Sequence, residues 1–385
     1  MLPGLLSPAP ASAQGALPPA TGTPGTAGEI RTVAGRVLRG STDSLRPVSG
    51  QVVVLHRISA DSSGPVDSVT TSATGAYRFR YRLEGPRSMY IVSARHSGVA
   101  YFTAPLREPA VTSPDGDVAV YDTTSVEFPL TVRARHVVIA PADAGGLRRV
   151  VDVFEVANDS NRTLVGGADG GTWRVALPEG AREPGSSGGD LPPDAFRFQA
   201  GRAELLVPFP PGARQVVLTY AIPAGSSVAV PVADGLATLE VLLEGAGASV
   251  SGAGLAPQEP VSMEGRSFQR FTAGPVAAGT SFTVGGSGGG LGGRASRLAL
   301  LAVAAIAVAL GIVLGRRHVP GFSTPSVTER PATEALAREI AALDHVYAEP
   351  GKRAGAAGEQ YRARRAALMG QLVDSQAVEE RESPT

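Results

Sequence analysis

Residues 298–315 read LALLAVAAIAVALGIVLG, eighteen consecutive positions that carry no charge and nothing more polar than glycine. At a rise of about 1.5 Å per residue, a helix of this length spans about 27 Å, close to the roughly 30 Å hydrocarbon core of a bilayer. Ten of the eighteen residues are Leu, Ile or Val, which favours insertion by roughly 3 to 6 kcal/mol. A buried core helix, the alternative, rarely runs this long without a polar face. The stretch therefore predicts one transmembrane helix in contact with the lipid bilayer, between an N-terminal body and a C-terminal tail.

The N-terminus predicts the side of the membrane on which each part lies. Ala11-Ser12-Ala13 has the small-x-small form of a signal-peptide cleavage site. The basic part and most of the apolar part of such a signal are missing. We therefore interpret residues 1–13 as a truncated signal peptide; a disordered Pro/Ala-rich leader is the alternative. Export of the body and arrest at the apolar stretch predict a single-pass protein of the cell (inner) membrane, with an extracytoplasmic body and a cytoplasmic tail.

The composition excludes several classes of function. Acidic and basic residues balance at 35 each, so no net charge attracts nucleic acid. The chain has no cysteine, which excludes disulfides, zinc–thiolate sites and thiol nucleophiles. Apolar residues make up 43% of the chain, enough for hydrophobic cores. An exported body without disulfides depends on those cores alone.

Changes in composition divide the chain into successive segments. Pro/Gly-rich stretches without apolar periodicity predict linkers, and GGSGGGLGG at 285–293 predicts a flexible tether beside the membrane. The predicted order is a linker at 14–28, a first β-sandwich at 29–129, a second at 130–284, the tether at 285–297, the transmembrane helix, a linker at 316–330, a helical hairpin at 331–373 and a disordered end at 374–385.

The first β region shows the alternation of half-buried strands. Tyr77–Arg82 reads YRFRYR, which directs aromatic rings to one face and guanidinium groups to the other. Gln51–Leu55 is a β-branched run suited to an inner strand. Gly75 lies where a tight turn leads into the aromatic strand. The region therefore predicts short strands joined by turns.

The second β region repeats this pattern. Trp173, Val175 and Leu177 share one face of a strand, as do alternate residues from Val216 to Ile222. Short strands with Pro/Gly turns and no helical period indicate an Ig-like antiparallel sandwich. Residues 178–195 break the pattern and predict a long exposed loop. The candidate strands are Leu130–Ile139, Arg149–Ala157, Thr172–Leu177, Phe196–Phe198, Ala203–Val207, Gln215–Ile222, Ser227–Val232 and Leu236–Leu243.

The tail shows helical periodicity instead. Two sets of apolar residues each fall on one helix face: Leu336, Ile340, Leu343 and Tyr347 in a first helix, and Tyr361, Leu368 and Leu372 in a second. A break at Pro350-Gly351 between them predicts a helical hairpin. The tail also resembles a short element that follows the membrane helix of various bacterial membrane proteins.

The segment from Thr32 to Ala94 resembles the carboxypeptidase regulatory-like domain, a transthyretin-type β-sandwich common in bacterial surface and periplasmic proteins. The matching residues are Gly35–Val37, Pro47–Leu55, Thr70–Phe79 and Tyr90–Ala94. The sequence departs from the family at Glu84–Met89, where the family usually has a short Gly-containing turn. The resemblance implies a folding module without peptidase chemistry.

Few residues suggest catalysis. Ser187 and Ser287 match the nucleophile-elbow pattern G-x-S-x-G, but that chemistry needs a strand-to-helix turn and both lie in glycine-rich stretches. No pair of histidines has metal-ligand spacing. We interpret His136, in an alternating strand, as a rim or paired core residue. The histidines are His56, His96, His136, His318 and His345.

Three further patterns each have two interpretations. Asp115-Gly116-Asp117 suits a turn between strands better than a Ca²⁺ site, which needs six or more oxygens. Asn158-Asp159-Ser160 and Asn161-Arg162-Thr163 match a glycosylation sequon, but a strand–strand turn is favoured. The strand Tyr77–Arg82 offers either a stacking face for glycans or nucleic acid, or a solvated face opposite a packed one.

These observations predict a mainly β protein with a binding, structural or scaffolding role at the cell envelope. We expect no enzyme activity and no catalytic, cofactor or metal residues. Expected partners are the bilayer at 298–315, a protein or glycan outside and a cytoplasmic protein at 331–373, but no nucleic acid. Two alternatives stay open: a transmembrane sensor that couples an external ligand to the tail, and an envelope hydrolase with a site in 130–284.

Overall fold

A computed structural model describes residues 28–40, 44–59, 63–85, 88–167, 170–245, 247–263, 265–286 and 355–382, together with Leu336, Ile340 and Leu343. This part of the chain is mainly β, as the sequence predicts. The apolar stretch 298–315 lies outside the described residues. Among those described, no helix is long and apolar enough to span a bilayer.

The first β region consists of two sheets. One has the order β2-β1-β5, antiparallel, with β8 and β9 added parallel to β1; the other has the antiparallel order β4-β3-β6-β7. The strands are β1 (Ile30–Gly40), β2 (Leu45–Pro47), β3 (Val52–Ile58), β4 (Gly64–Thr70), β5 (Ala76–Arg82), β6 (Met89–His96), β7 (Val99–Phe102), β8 (Ala110–Val111) and β9 (Val118–Val120).

Side chains from both sheets meet in one core. Val33 lies opposite Phe79 in the β1–β5 register, and both are buried with Leu55 and Val92 of the other sheet. The aromatic residues of β5 point inward and its arginines outward, which confirms the alternation in the sequence. Gly75, at φ +73°, forms the turn before β5.

The second β region is built on a seven-stranded sheet, β15-β18-β12-β11-β20-β23-β22. Its inner face shares a core with two three-stranded sheets, β14-β17-β16 and β19-β24-β21. Short strands β10 and β13 pair in parallel. The strands are β10 (Thr123–Thr124), β11 (Thr131–Ala142), β12 (Leu147–Asn158), β13 (Thr163–Leu164), β14 (Trp173–Ala176), β15 (Arg182–Gly189), β16 (Phe196–Gln199), β17 (Arg202–Leu205), β18 (Gly212–Pro223), β19 (Val228–Val232), β20 (Leu236–Glu244), β21 (Ala248–Gly252), β22 (Ala256–Met263), β23 (Arg266–Ala273) and β24 (Thr280–Gly286).

Residues 178–195 differ from the predicted exposed loop. They contain β15, which pairs antiparallel with β18 at the edge of the large sheet, and a short 3₁₀ turn at Pro193–Ala195. Gly185 and Ser186 lie opposite Thr219 and Leu218. Backbone hydrogen bonds to β18 hold this strand in the sheet. The strand can therefore form although its Gly/Ser sequence shows no apolar alternation.

The tail contains an α-helix, α1 (Gly355–Glu382), and Leu336, Ile340 and Leu343 are also helical. The helix continues past Asp374, where the sequence predicts a disordered end. The residues after Asp374 are mostly good helix formers, and the next proline is Pro384. Local propensity therefore extends the helix by more than two turns.

The tail helix packs on the outer face of the β4-β3-β6-β7 sheet. Leu368 and Leu372 are buried with Ile340 against Ile58 and Ile91. This contact places the tail beside the first β region.

Candidate functional site

A buried ionic group lies within the core of the second β region. Arg135 donates from Nε and Nη2 to the two carboxylate oxygens of Asp152, at 2.9 and 2.7 Å. Its Nη1 donates to the carbonyl of Pro231 at 2.6 Å, on the facing sheet. The hydroxyl of Tyr220 donates to Asp152 at 2.9 Å. We call Arg135, Asp152 and Tyr220 the inner clamp.

A β-bulge places Arg135 in the core. Val132 faces inward, so strict alternation would point Ala134 and His136 inward and Arg135 outward. The register with β12 shifts between Val132 and Ala134, which turns Arg135 inward and His136 outward. The guanidinium then lies 4.7 Å from the centre of the Phe154 ring. One extra residue in β11 thus decides which side of the sheet receives the cation.

The inner clamp is almost free of solvent, with side-chain exposures of 2% for both Arg135 and Asp152. Burial lowers the pKa of Arg135, but the charge and hydrogen bonds of Asp152, together with the Tyr220 phenol, outweigh this and raise that pKa above its ordinary value. Burial, with the same carboxylate, raises the pKa of Tyr220 well above its ordinary value. The guanidinium of Arg135 therefore stays charged and the phenol of Tyr220 neutral throughout the physiological pH range.

A second cluster lies on the outer face of the same sheet. His136 Nδ1 lies 2.9 Å from one carboxylate oxygen of Glu240, and Arg270 Nε donates to the other at 2.5 Å. Burial raises the pKa of Glu240, but the hydrogen bonds and charges of His136 and Arg270 together outweigh this, so that the pKa of Glu240 lies below its ordinary value. We call these three residues the outer clamp. They confirm the interpretation of His136 as a paired residue.

Both clamps join strands that are distant in sequence. The inner clamp connects β11, β12, β18 and β19, and the outer clamp connects β11, β20 and β23. Every ionic group in them is already engaged by another protein group. Such groups hold strands in register; they are not arranged to transfer a proton to a substrate.

The sequence contains a signal for these residues in two interrupted apolar runs. Asp152 interrupts the apolar run VVDVFEV of β12, and Glu240 interrupts LATLEVLLE of β20. A carboxylate within an otherwise apolar strand is costly to bury unless it is paired. Such positions therefore indicate a buried cationic partner, although not which one.

Of the two serines in the G-x-S-x-G pattern, the structure describes Ser187, which is not in a nucleophile elbow. Ser187 lies inside β15 at the edge of the large sheet, not at a strand-to-helix turn. Ser287 lies outside the described residues, as do His318 and His345. Of the other histidines, His56 hydrogen-bonds Ser93 at 2.8 Å, and His96 lies 3.0 Å from Asp122.

The acidic turn and the first sequon also have structural roles. Asp117 accepts hydrogen bonds from the backbone N–H of Arg36 at 2.8 Å and from Ser113 at 2.5 Å. No group of three or more potential metal ligands occurs among the described residues. Asn158 is buried, and its amide donates to the carbonyls of Arg162 and Phe209. It organises the turn after β12, as the turn interpretation requires.

Two open grooves lie on the surface. One, of about 520 Å³, is lined mainly by the turns around Pro178 and Gly201 and contains one carboxylate, that of Glu179. The other, of about 740 Å³, lies beside β5 and is lined by no carboxylate. A hydrolase site of the kind considered above needs two acids in one pocket. Neither groove provides them.

Comparisons with known proteins add little to this geometry. No family model and no curated protein matches the chain. It is similar to the full-length RrgB pilus protein from Streptococcus pneumoniae, at 10% identity and a TM-score of 0.17, over 68% of this chain and 62% of that one. The chain thus spans less than two thirds of that protein.

A second similar structure is the major pilin subunit of Bacillus cereus. The match has 11% identity and a TM-score of 0.14, and covers 66% of this chain and 87% of that one. TM-scores this low carry no argument about fold or function. The resemblance to the carboxypeptidase regulatory-like domain stays a prediction from the sequence.

Proposed function

We propose that the protein is a structural or scaffolding component of the cell envelope, in which two β regions form a rigid body anchored by residues 298–315. Its role is to hold a binding surface at the end of the tether, without catalysis. The observation that supports this proposal is the use of buried ionic groups. In both clamps, the charges connect strands to one another and leave no group facing a groove.

The anchor rests on the sequence, and it is tested by placing charge within it. Ile306→Arg with Val308→Arg puts two guanidinium groups near the bilayer centre, at a cost of about 5 to 7 kcal/mol, which matches or exceeds the whole apolar gain. We expect the wild-type chain to stay in the membrane pellet after carbonate extraction and the variant to be released. The control Ser326→Arg with Thr328→Arg adds the same charge outside the stretch and stays in the pellet. Release of the wild-type chain contradicts the anchor.

The side on which the tail lies is tested separately, because its contact with the first β region and a single bilayer crossing exclude each other. Ser63 Oγ lies 3.8 Å from Met369 Sδ. The chain lacks cysteine, so Ser63→Cys with Met369→Cys introduces the only two thiols. We propose a cytoplasmic tail for the inserted protein and expect no crosslink between these thiols in intact cells. Efficient crosslinking there overturns this orientation and, with it, a single crossing by residues 298–315; attachment to the membrane is tested separately by the carbonate extraction.

A further inference from the structure

The outer face of β5 carries a row of three arginines. Arg78, Arg80 and Arg82 are all exposed, while the rings of Tyr77, Phe79 and Tyr81 on the other side of the strand are buried. Residues two apart on a strand lie about 6.6 to 6.8 Å apart, so the row extends about 13 Å in a straight line. We call these three residues the arginine row.

The surroundings of the row leave its charge largely uncompensated. The cross-strand neighbours of the three arginines on β1 are Ala34, Thr32 and Ile30, none of which is acidic. Arg82 donates to the carbonyl of Gly28 at 2.8 Å. Within the described part of the chain, the guanidinium groups of Arg78 and Arg80 form no hydrogen bond or ion pair. A polypeptide with balanced charge thus concentrates cations on this face.

A groove begins at one end of the row. Arg78 and Arg36 line it, together with the hydroxyl-bearing residues Thr70, Ser72, Thr112 and Ser113. Arg36 is paired with Asp117 at 3.2 Å, so among the described residues that line the groove, Arg78 is the cation without an ionic partner. Guanidinium groups bind carboxylate, sulfate and phosphate through paired N–H donors. The adjacent hydroxyls suit the hydroxyl groups of a sugar or polyol.

The buried aromatic rings determine which polyanion fits. Proteins that bind single-stranded nucleic acid combine a basic groove with exposed aromatic rings on which bases stack. Here the rings of β5 face the core, so stacking is absent and only charge and hydroxyl contacts remain. This rules against the stacking interpretation of the strand and favours a ligand without aromatic bases.

From this geometry we propose that the arginine row and its groove bind a linear anionic glycan. Successive acidic groups of the polymer lie along Arg78, Arg80 and Arg82, and its hydroxyls contact the groove. The choice of a polymer over a bilayer surface rests on the proposed function, because the second β region and the tether separate the row from the anchor along the chain. A charged edge strand that merely opposes aggregation is the competing explanation.

The test uses the full chain in a neutral detergent on immobilised heparin, a sulfated glycan. We compare Arg78→Gln/Arg80→Gln/Arg82→Gln with Arg95→Gln/Arg162→Gln/Arg202→Gln, which removes three exposed arginines elsewhere and gives the same net charge. In about 0.15 M salt we expect the first variant to bind about tenfold to hundredfold more weakly than wild type. We also expect the magnitude of its slope of log affinity against log salt to fall by about 2. The control keeps the wild-type affinity and slope.

Three results overturn the proposal. They are an equal loss of heparin affinity in both triple variants, no binding of heparin by the wild-type chain, and binding of the wild-type chain to anionic phosphatidylserine vesicles instead of heparin. The proposal is also overturned if the Arg78/Arg80/Arg82 variant aggregates while its folded fraction, identified by circular dichroism, elutes from heparin at the same salt as wild type. That result would mean that the arginines protect the edge strand from aggregation. None of these measurements depends on insertion of residues 298–315. Failure of the anchor is therefore distinguished by the carbonate extraction above.

Discussion

The two β regions stabilise polar groups within their cores by different chemistry. The first uses mainly neutral phenols that donate to backbone carbonyls, Tyr90 to Arg82 at 3.0 Å and Tyr101 to Tyr121 at 2.9 Å. Its buried Arg31 pairs with a carboxylate that is partly exposed, that of Glu29. The second uses full charges in the inner and outer clamps. The two regions thus bury polar groups in two ways, which differ in the unfolding free energy lost when one partner is removed.

This difference in the cost of removing one partner follows from desolvation. A buried ion pair gains little over a well-packed apolar pair, but removal of one partner leaves a bare charge in a low-dielectric core. A buried phenol that loses its acceptor, or a buried carbonyl that loses its phenol, costs about 1 to 3 kcal/mol, less than a bare buried charge. We therefore expect single substitutions to affect the second region more than the first. The pH dependence should also be concentrated there, because burial raises tyrosine pKa values, that of Tyr81 to about 12.

The largest expected effect is that of Arg135→Met, which leaves Asp152 charged in the core. We expect the second region to lose about 3 to 5 kcal/mol of unfolding free energy. Trp173 is the only tryptophan and is buried 5.4 Å from Phe154, so its fluorescence during denaturant unfolding reports this region.

Two controls sharpen this prediction. Arg133→Met removes an exposed arginine that pairs with Asp159 at 2.6 Å, and we expect it to cost less than about 1 kcal/mol. Arg135→Met with Asp152→Leu removes both charges, and we expect most of the stability to return. If the double variant is as unstable as the single one, the bare carboxylate is not the cause.

These residues show where sequence reasoning succeeds and where it ends. The alternation around Trp173 and in Tyr77–Arg82 indicates strands and their buried faces, because a half-buried strand repeats every two residues. It does not show that Arg135 faces the core, because the bulge that turns it inward is a property of the pairing with β12. It also misses β15, whose Gly/Ser residues join the sheet through hydrogen bonds rather than through apolar side chains. Pairings across the sheet are long-range, and no local pattern encodes them.

The next effect concerns the outer clamp and its pH dependence. The folded pKa of Glu240 lies below its ordinary value. Its contribution is therefore complete above the unfolded pKa of about 4.3 and is lost as pH falls through the folded pKa. Glu240→Gln should cost about 1.5 to 3 kcal/mol at neutral pH and flatten the acid limb of the stability curve.

The measurement is the Trp173 unfolding midpoint from neutral pH down to about pH 3. Glu259→Gln, an exposed carboxylate on β22, is the matched control and should keep the wild-type curve. An unchanged acid limb in Glu240→Gln means that another group controls acid unfolding of the second region.

In the first region, a steric change should exceed any polar one. A Cβ added at Gly35 lies 1.9 Å from the carbonyl oxygen of Gly116, so β1 and the neighbouring loop must move apart. We expect Gly35→Ala to cost about 1 to 3 kcal/mol, measured by tyrosine near-UV circular dichroism. Gly225→Ala, which adds a Cβ in open space, should change stability little. Equal effects of the two variants would show that the close approach is not needed.

The smallest effect distinguishes two tyrosines of the same core. Tyr90 donates to the carbonyl of Arg82 and accepts from the N–H of Glu84 at 3.1 Å, so Tyr90→Phe should cost about 1 kcal/mol. The buried hydroxyl of Tyr81 has no hydrogen-bond partner within the described chain, so Tyr81→Phe should be neutral or slightly stabilising. Both are measured by denaturant unfolding of the first region. If Tyr81→Phe costs as much as Tyr90→Phe, the first region depends on ring packing rather than on phenol–carbonyl bonds, and the contrast with the ionic second region would lie only in the clamps.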